Sequence, residues 1–224
     1  MADPQTPLPL PALNLYALFS DRARRNPGRK QFWRKAGGTW VGDDLESVQR
    51  RVLKLAARLQ RFGIRPGDKA AIFAENSLNW VIADQAILSL GAVVVPIYPT
   101  STSEEARFIL EDSGARIVCA AGEARSKALL DLGPEIVEAV VAFDRPAQGR
   151  VHSIADIFGD PGAPADTDGA GPAQEPDAVA TLVYTSGTSG RPKGVQLTHR
   201  NILFNVAAAL DAFPRGESDS CLSF

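Results

Sequence analysis

Between residues 70 and 143 the chain alternates strand-like and helix-like patterns, and this alternation constrains the fold more than any other feature. Short apolar runs at Ala70–Ala74, Ala92–Ile97, Arg116–Ala120 and Ile136–Phe143 are separated by helical patterns at Leu78–Leu90, Ser103–Asp112 and Glu123–Leu132. Strands spaced by helix-length stretches pair in parallel, with the helices as crossovers on the sheet faces. The pattern therefore predicts an α/β domain with a largely parallel sheet flanked by helices. Upstream, Leu13–Arg25 reads as a helix stopped at Asn26-Pro27-Gly28, and Lys30–Val41 as a hairpin around Gly37-Gly38. A second helix is expected to start at Asp43, whose spacing to Glu46 resembles a capping box. Its apolar positions Leu45, Val48, Val52, Leu55, Leu59 and Phe62 step by three or four residues and form one buried stripe, ended by Gly63.

Composition narrows the function classes. The 224 residues are 45% hydrophobic, enough for one sizeable core. A formal net charge of −2 disfavours non-specific nucleic-acid binding. Cys119 and Cys221 lie far apart in apolar surroundings, which suits buried thiols in a reducing cytosol and makes a poor zinc site. The start, Met-Ala-Asp-Pro-Gln-Thr-Pro, lacks the basic and apolar regions of a signal peptide, so a cytoplasmic location is expected. The greasy stretch Trp80–Tyr98 is interrupted by Asp84 and Gln85 and broken at Gly91 and Pro96. It reads as a buried helix followed by a strand, not a membrane span. Residues 159–177 hold four Gly, four Pro, four Asp and one Glu, with no Leu, Ile, Val or aromatic residue, and read as a flexible acidic loop.

The chemistry concentrates at Thr185-Ser-Gly-Thr-Ser-Gly190, six small or hydroxyl residues followed by Lys193. Such a run cannot pack a core. It can offer backbone N–H groups, four hydroxyls and one cation to a polyphosphate. Leu182–Tyr184 before it and Val195–Leu197 after it read as strands, so the loop sits at the tip of a strand–loop–strand unit. It is therefore not the usual P-loop, which opens into a helix, and the helix-dipole argument does not apply. Neither Ser186 nor Ser189 has the glycine spacing of a nucleophile elbow, and no dinucleotide fingerprint is present. Thr198 is expected to cap a last helix, Asn201–Ala212, and Cys221–Phe224 reads as the start of a strand.

Tyr184–Val195 closely resembles the signature loop of the AMP-forming acyl-CoA synthetases, the adenylate-forming superfamily, with Ser189 in place of the commoner Thr. The stretches Gly63–Lys69, Glu75–Trp80 and Leu90–Arg116 are similar to the bacterial long-chain fatty acid–CoA ligases in particular. The resemblance implies a ligase that activates a carboxylic acid with ATP to an acyl-adenylate and transfers it to CoA. It implies Thr185, Ser186, Gly187, Thr188, Ser189, Gly190 and Lys193 at the β- and γ-phosphates, with Lys193 catalytic and Thr188 on Mg²⁺. The implied small-molecule partners are ATP, a fatty acid and CoA. No nucleic acid is expected, and a homodimer or a peripheral membrane contact stays open. Motifs that the family carries further downstream do not occur. The expectation is a partial N-terminal adenylation domain over residues 1–224, without the C-terminal domain and inactive alone. A synthetase for a short-chain, aryl or amino acid, or a weak nucleotide-phosphate binding module, are the alternative readings.

Other features take plainer readings. His199, in the first turn of a helix, reads as an exposed or hydrogen-bonded imidazole rather than a base, and His152 as a surface residue. Trp80 reads as core. Seven of residues 22–35 are basic and none is acidic, which reads as a helix end and a solvated hairpin. Arg50, Lys54, Arg58 and Arg61 form a basic stripe off the apolar face, read as solvated surface.

Overall fold

The computed structural model of the chain describes residues 12–161, 175–186 and 192–213. Helix α1 (Leu15–Arg25) starts at Asn14, whose side chain accepts a hydrogen bond from the Ala17 N–H at 2.7 Å. Strands β1 (Lys30–Ala36) and β2 (Thr39–Asp44) pair antiparallel as a separate two-stranded sheet. Helix α2 (Leu45–Arg61) follows directly. Its cap corrects the sequence reading: Asp44, not Asp43, is the N-cap, and its carboxylate accepts from the Ser47 N–H at 2.7 Å. Asp43 still belongs to β2 and turns to Arg51, 2.5 Å away, so the Asp43–Glu46 spacing was a coincidence of adjacent acids. The predicted stripe on α2 is buried at Leu45, Val48, Val52, Leu55 and Leu59, with Phe62 just past the last turn. Gly63 then takes φ +97°, a left-handed conformation that a side chain would oppose.

The remaining elements are β3 (Lys69–Phe73), α3 (Leu78–Ser89), β4 (Val93–Ile97), α4 (Ser103–Ser113), β5 (Ile117–Ala120), α5 (Glu123–Asp131), β6 (Ala139–Ala142), β7 (Val151–Ser153), α6 (Ile154–Gly159), β8 (Val179–Ser186), β9 (Pro192–Thr198) and α7 (His199–Ala212). Strands β3 to β9 form one sheet in the order β7-β6-β5-β3-β4-β8-β9. Every neighbouring pair is parallel except β8 and β9. The α/β class and the largely parallel sheet are as predicted.

Strand side chains alternate between two apolar layers. Ala70, Ile72, Val94, Ile117, Cys119 and Val141 join the core under α1, α2, α3 and α6. Ala71, Phe73, Val95, Ile97, Val118 and Val140 join the core under α4 and α5. Helices on both faces explain why the strands read as unbroken apolar runs. The strand order also explains which helix lies where. The chain moves one way from β3 to β4 and the opposite way from β4 to β5, so right-handed crossovers put α3 and α4 on opposite faces. The Cys119 thiol is fully buried, and burial pushes its pKa up to about 12, which fits an inert thiol.

Three plain readings need adjustment. His152 lies on β7, a strand absent from the sequence reading, and is half-buried with its ring 4.6 Å from that of Phe62. A three-residue strand is too short to show an alternating pattern. Two members of the basic stripe are structural. Lys54 donates to the carbonyls of Phe158 and Asp160 at 2.7 and 3.0 Å, and Arg58 pairs with Asp160 at 3.6 Å. These contacts hold the C-terminal end of α6 against α2. Arg50 stays exposed beside Glu46, as read. Trp80 is half-buried against the core under α3. Most of the acidic stretch 159–177, together with Cys221–Phe224, lies outside the described residues. Among the described residues, no helix is long and apolar enough to cross a membrane.

Candidate functional site

The polar loop is carried by the hairpin β8–β9, the strand–loop–strand unit expected from the flanking alternation. The register sets Tyr184 opposite Gly194, Thr185 opposite Lys193 and Ser186 opposite Pro192. Thr185 and Lys193 are therefore cross-strand partners, and both are exposed. Among the described residues no ion pair to Lys193 is present. Gly187, Thr188, Ser189 and Gly190 lie outside the described residues, and for Ser186 the backbone alone is described.

Because β8 runs parallel to β4, its end lies at the carboxyl edge of the sheet, the edge at which ligands of open α/β sheets bind. The reversal of strand order falls at β3, so crevices would open there between the loops after β3, β4 and β5. Arg125, on the first turn of α5, fills this region. Its guanidinium holds both carboxylate oxygens of Glu75 at 2.5 and 3.0 Å and the carbonyls of Ala121 and Pro99 at 2.9 and 3.1 Å. It also lies 5.4 Å from the centre of the Phe73 ring. The hydrogen bonds from Arg125 hold the Glu75 carboxyl below its ordinary range. With its cation spent on these acceptors, Arg125 ties three loops together, and among the described residues Lys193 is an exposed cation next to the hydroxyl run.

Hydrogen bonds fasten the hairpin to the sheet and to α4. The Thr181 hydroxyl donates to the Val94 carbonyl at 2.9 Å, at the one registered pair between β8 and β4. The Tyr184 hydroxyl donates to Asp112 Oδ2 at 2.6 Å. The Tyr184 ring is buried and meets Phe108 edge-on, with centroids 6.4 Å apart. Burial and the adjacent Asp112 carboxylate both raise the Tyr184 pKa, so the phenol stays a donor. Sequence reasoning used Tyr184 as part of the motif but missed Asp112, Glu75 and Arg125. Their partners lie 72 and 50 residues away, beyond any local pattern.

His199 is fully buried, and its Nδ1 accepts from the Leu15 N–H at 3.2 Å, which settles the sequence alternative on the hydrogen-bonded side. Thr198 caps α7 as predicted, with a reciprocal bond to Asn201, although the helix begins at His199. A cleft of about 560 Å³ lies at the amino ends of β3 and β4, lined by Lys69, Val93, Val179 and Leu182. It is at the opposite edge of the sheet from Thr185 and Lys193.

The hairpin thus brings Thr185 and Lys193 to the carboxyl edge of a largely parallel α/β sheet. The chain belongs to the AMP-binding enzyme family, which matches residues 19–224. It is 32% identical over 206 residues to the long-chain-fatty-acid–CoA ligase FadD15 of Mycobacterium bovis, covering 88% of this chain and 33% of that protein. Among solved structures it is similar to the nonribosomal peptide synthetase FmoA3 in its AMPPNP-bound form, with 27% identity and a TM-score of 0.69, covering 94% of this chain and 20% of that one. The anthranilate CoA ligase AuaEII, in complex with anthranoyl-AMP, shares the fold at 22% identity and a TM-score of 0.72, covering 86% of this chain and 36% of that one. The chain thus spans about a third of the length of FadD15.

Proposed function

We propose that the chain supplies the pyrophosphate-gripping part of a long-chain fatty acid–CoA ligase. The observation that carries this reading is the pairing of exposed Thr185 with exposed Lys193 at the carboxyl edge of the sheet. In the proposed reaction a fatty acid carboxylate oxygen attacks the α-phosphorus of ATP. The bond between the α-phosphorus and the bridging oxygen breaks, and pyrophosphate leaves with its electron pair. The CoA thiolate then attacks the acyl carbon and AMP departs. Negative charge grows on the leaving pyrophosphate during the first step. A preplaced ammonium and preplaced hydroxyl and N–H donors lower the energy of that state more than of bound ATP.

Lys193 is proposed as the catalytic cation. Thr185, Ser186, Gly187, Thr188, Ser189 and Gly190 are proposed to line the β- and γ-phosphates. Thr188 is proposed as a ligand of Mg²⁺. Among the described residues, no group of three or more His, Cys, Asp or Glu could hold a metal ion. A hydroxyl oxygen and the substrate's own phosphates suit Mg²⁺, a hard cation that is commonly held in this way. When bound, Mg²⁺ would neutralise charge on the phosphates.

Identity to FadD15 supports the long-chain acid. The likeness to FmoA3 and AuaEII keeps an amino or aryl acid as the second reading. Acid-dependent exchange of labelled pyrophosphate into ATP, run on the full-length protein carrying this chain, tests both. Exchange supported by a long-chain fatty acid is expected. Exchange with an amino or aryl acid alone would favour the second reading, and exchange with no acid would end the ligase proposal.

A further inference from the structure

We infer that Tyr184 and Asp112 form a clip that positions the outer half of the β8–β9 hairpin, and with it Thr185 and Lys193, over the carboxyl edge of the sheet. The inference deepens the phosphate-gripping reading and rests on it.

The hairpin needs such a tie. β8 registers with β4 at a single pair, Val94 opposite Thr181, whereas β8 and β9 register with each other out to Ser186 and Pro192. Beyond Thr181 β8 stays beside β4, with Tyr184 and Leu182 in the apolar layer of Val95 and Ile97, but no further ladder pair registers it there.

Helix α4 supplies that tie. Phe108 and Asp112 are four residues apart, so they share one helical face. Phe108 gives the Tyr184 ring an edge-on contact, and Asp112 gives its hydroxyl an acceptor oxygen at 2.6 Å. The helix itself is firmly set. Thr102 and Glu105 form a complete capping box at its start, and Gly114 closes it at φ +73°.

Gly194 completes the device. A Cβ at this position would lie 3.1 Å from Tyr184 Cζ and 3.0 Å from Leu182 Cδ1. Its φ is not positive, so the requirement is for space rather than for backbone freedom. The glycine after Lys193 leaves room for the Tyr184 ring, which can then lie across the ribbon and reach Asp112. Tyr184 precedes Thr185, and Gly194 follows Lys193. The clip therefore acts on the pair immediately next to the two exposed groups. Tyr184 and Asp112 are positioning residues in this scheme, since neither reaches the exposed side of the pair.

The test compares Tyr184→Phe, Asp112→Leu, Asp112→Asn and the double variant Tyr184→Phe/Asp112→Leu in the full-length protein. Two readouts are taken: hydrogen–deuterium exchange of the amides of residues 182–186 and 193–197, and acid-dependent pyrophosphate exchange. Tyr184→Phe keeps the ring and its packing and removes the hydroxyl alone. Tyr184→Phe and Asp112→Leu are each expected to speed amide exchange about tenfold, the equivalent of one hydrogen bond. They are expected to lower kcat for pyrophosphate exchange about tenfold, with KM for ATP within about threefold. Asp112→Asn keeps an acceptor oxygen and is expected within about threefold of the parent in both readouts. The double variant is expected to be no worse than the single ones, because both remove the same bond.

Unchanged amide exchange and kcat in Tyr184→Phe would overturn the clip. So would a lowered melting temperature with both hairpin readouts unmoved, which would mark a purely structural contact, or additive losses in the double variant. If the parent protein exchanges pyrophosphate with no acid, the ligase proposal fails, and amide exchange still decides whether the clip holds the hairpin.

Discussion

The Nδ1 of His199 accepts a hydrogen bond from the backbone N–H of Leu15 at 3.2 Å, joining two helix starts that lie 184 residues apart. An accepting Nδ1 requires a neutral ring with its proton on Nε2. Burial lowers the His199 pKa, in keeping with that state. The folded pKa therefore lies below the unfolded one. The stability contributed by neutral His199 is present above the unfolded value, near 6.5, and is lost as pH falls from there through the lowered folded value. Urea titrations across that window should show a stability decline that His199→Gln flattens. At a pH of about 8, His199→Gln should cost about 1–2 kcal/mol through the lost bond and altered packing.

Lys193→Ala should slow adenylation more than it weakens ATP binding. The lysine is exposed beside Thr185 and is proposed to meet charge that grows as pyrophosphate leaves. A fall of about a hundredfold in kcat for pyrophosphate exchange is expected, with KM for ATP changed by less than about fivefold. Equal kcat in the variant and the parent would refute the role.

Asp84 and Gln85 interrupt the apolar run of α3, and the Asp84 carboxylate accepts from the Gln85 amide at 3.0 Å. Desolvation raises its pKa to about 7. For an acid the sign is the reverse of that for His199. Folding is favoured while Asp84 is protonated, and that advantage is lost as pH rises from the unfolded value of about 3.8 through about 7. Asp84→Asn should raise stability above pH ~7 by on the order of 1–2 kcal/mol, the residue's partial exposure limiting the effect, with a smaller difference at pH ~5. Thermal melts at the two pH values check it.

Arg125→Met should cost more stability than Glu75→Gln, although the two residues form one ion pair. Arg125 is 23% exposed and also holds two carbonyls and the Phe73 ring, whereas Glu75 is 61% exposed. About 2 kcal/mol is expected for Arg125→Met and less than about 1 kcal/mol for Glu75→Gln. Similar losses from both, measured by denaturant unfolding, would mean that the ion pair alone matters.

Several parts of the fold were legible in the residues because they depend on local periodicity. The apolar runs of β3 to β6 and the stepped stripe of α2 each repeat with the period of their own element. The hairpin was legible for a related reason: Leu182–Tyr184 and Val195–Leu197 flank a run that cannot enter a core. Two misreadings share one cause. Asp43 and Asp44 are adjacent acids, and the end of β2 decides which of them caps α2. His152 sits on a strand of three residues, which gains its identity by pairing with β6 rather than from its own pattern.

The sequence by itself determined the element types, the parallel sheet and the run of hydroxyls and glycines with its lysine, because each follows from backbone periodicity or from residue chemistry within a short window. The tertiary structure decided which edge of the sheet carries that run, and which distant groups meet around it. Glu75 with Arg125, Leu15 with His199 and Asp112 with Tyr184 meet because β4 and β5 flank β3 and because β8 adds beside β4. Strand order is set by the packing of whole layers. No local pattern encodes it, so the neighbours of the hairpin become visible with the assembled sheet.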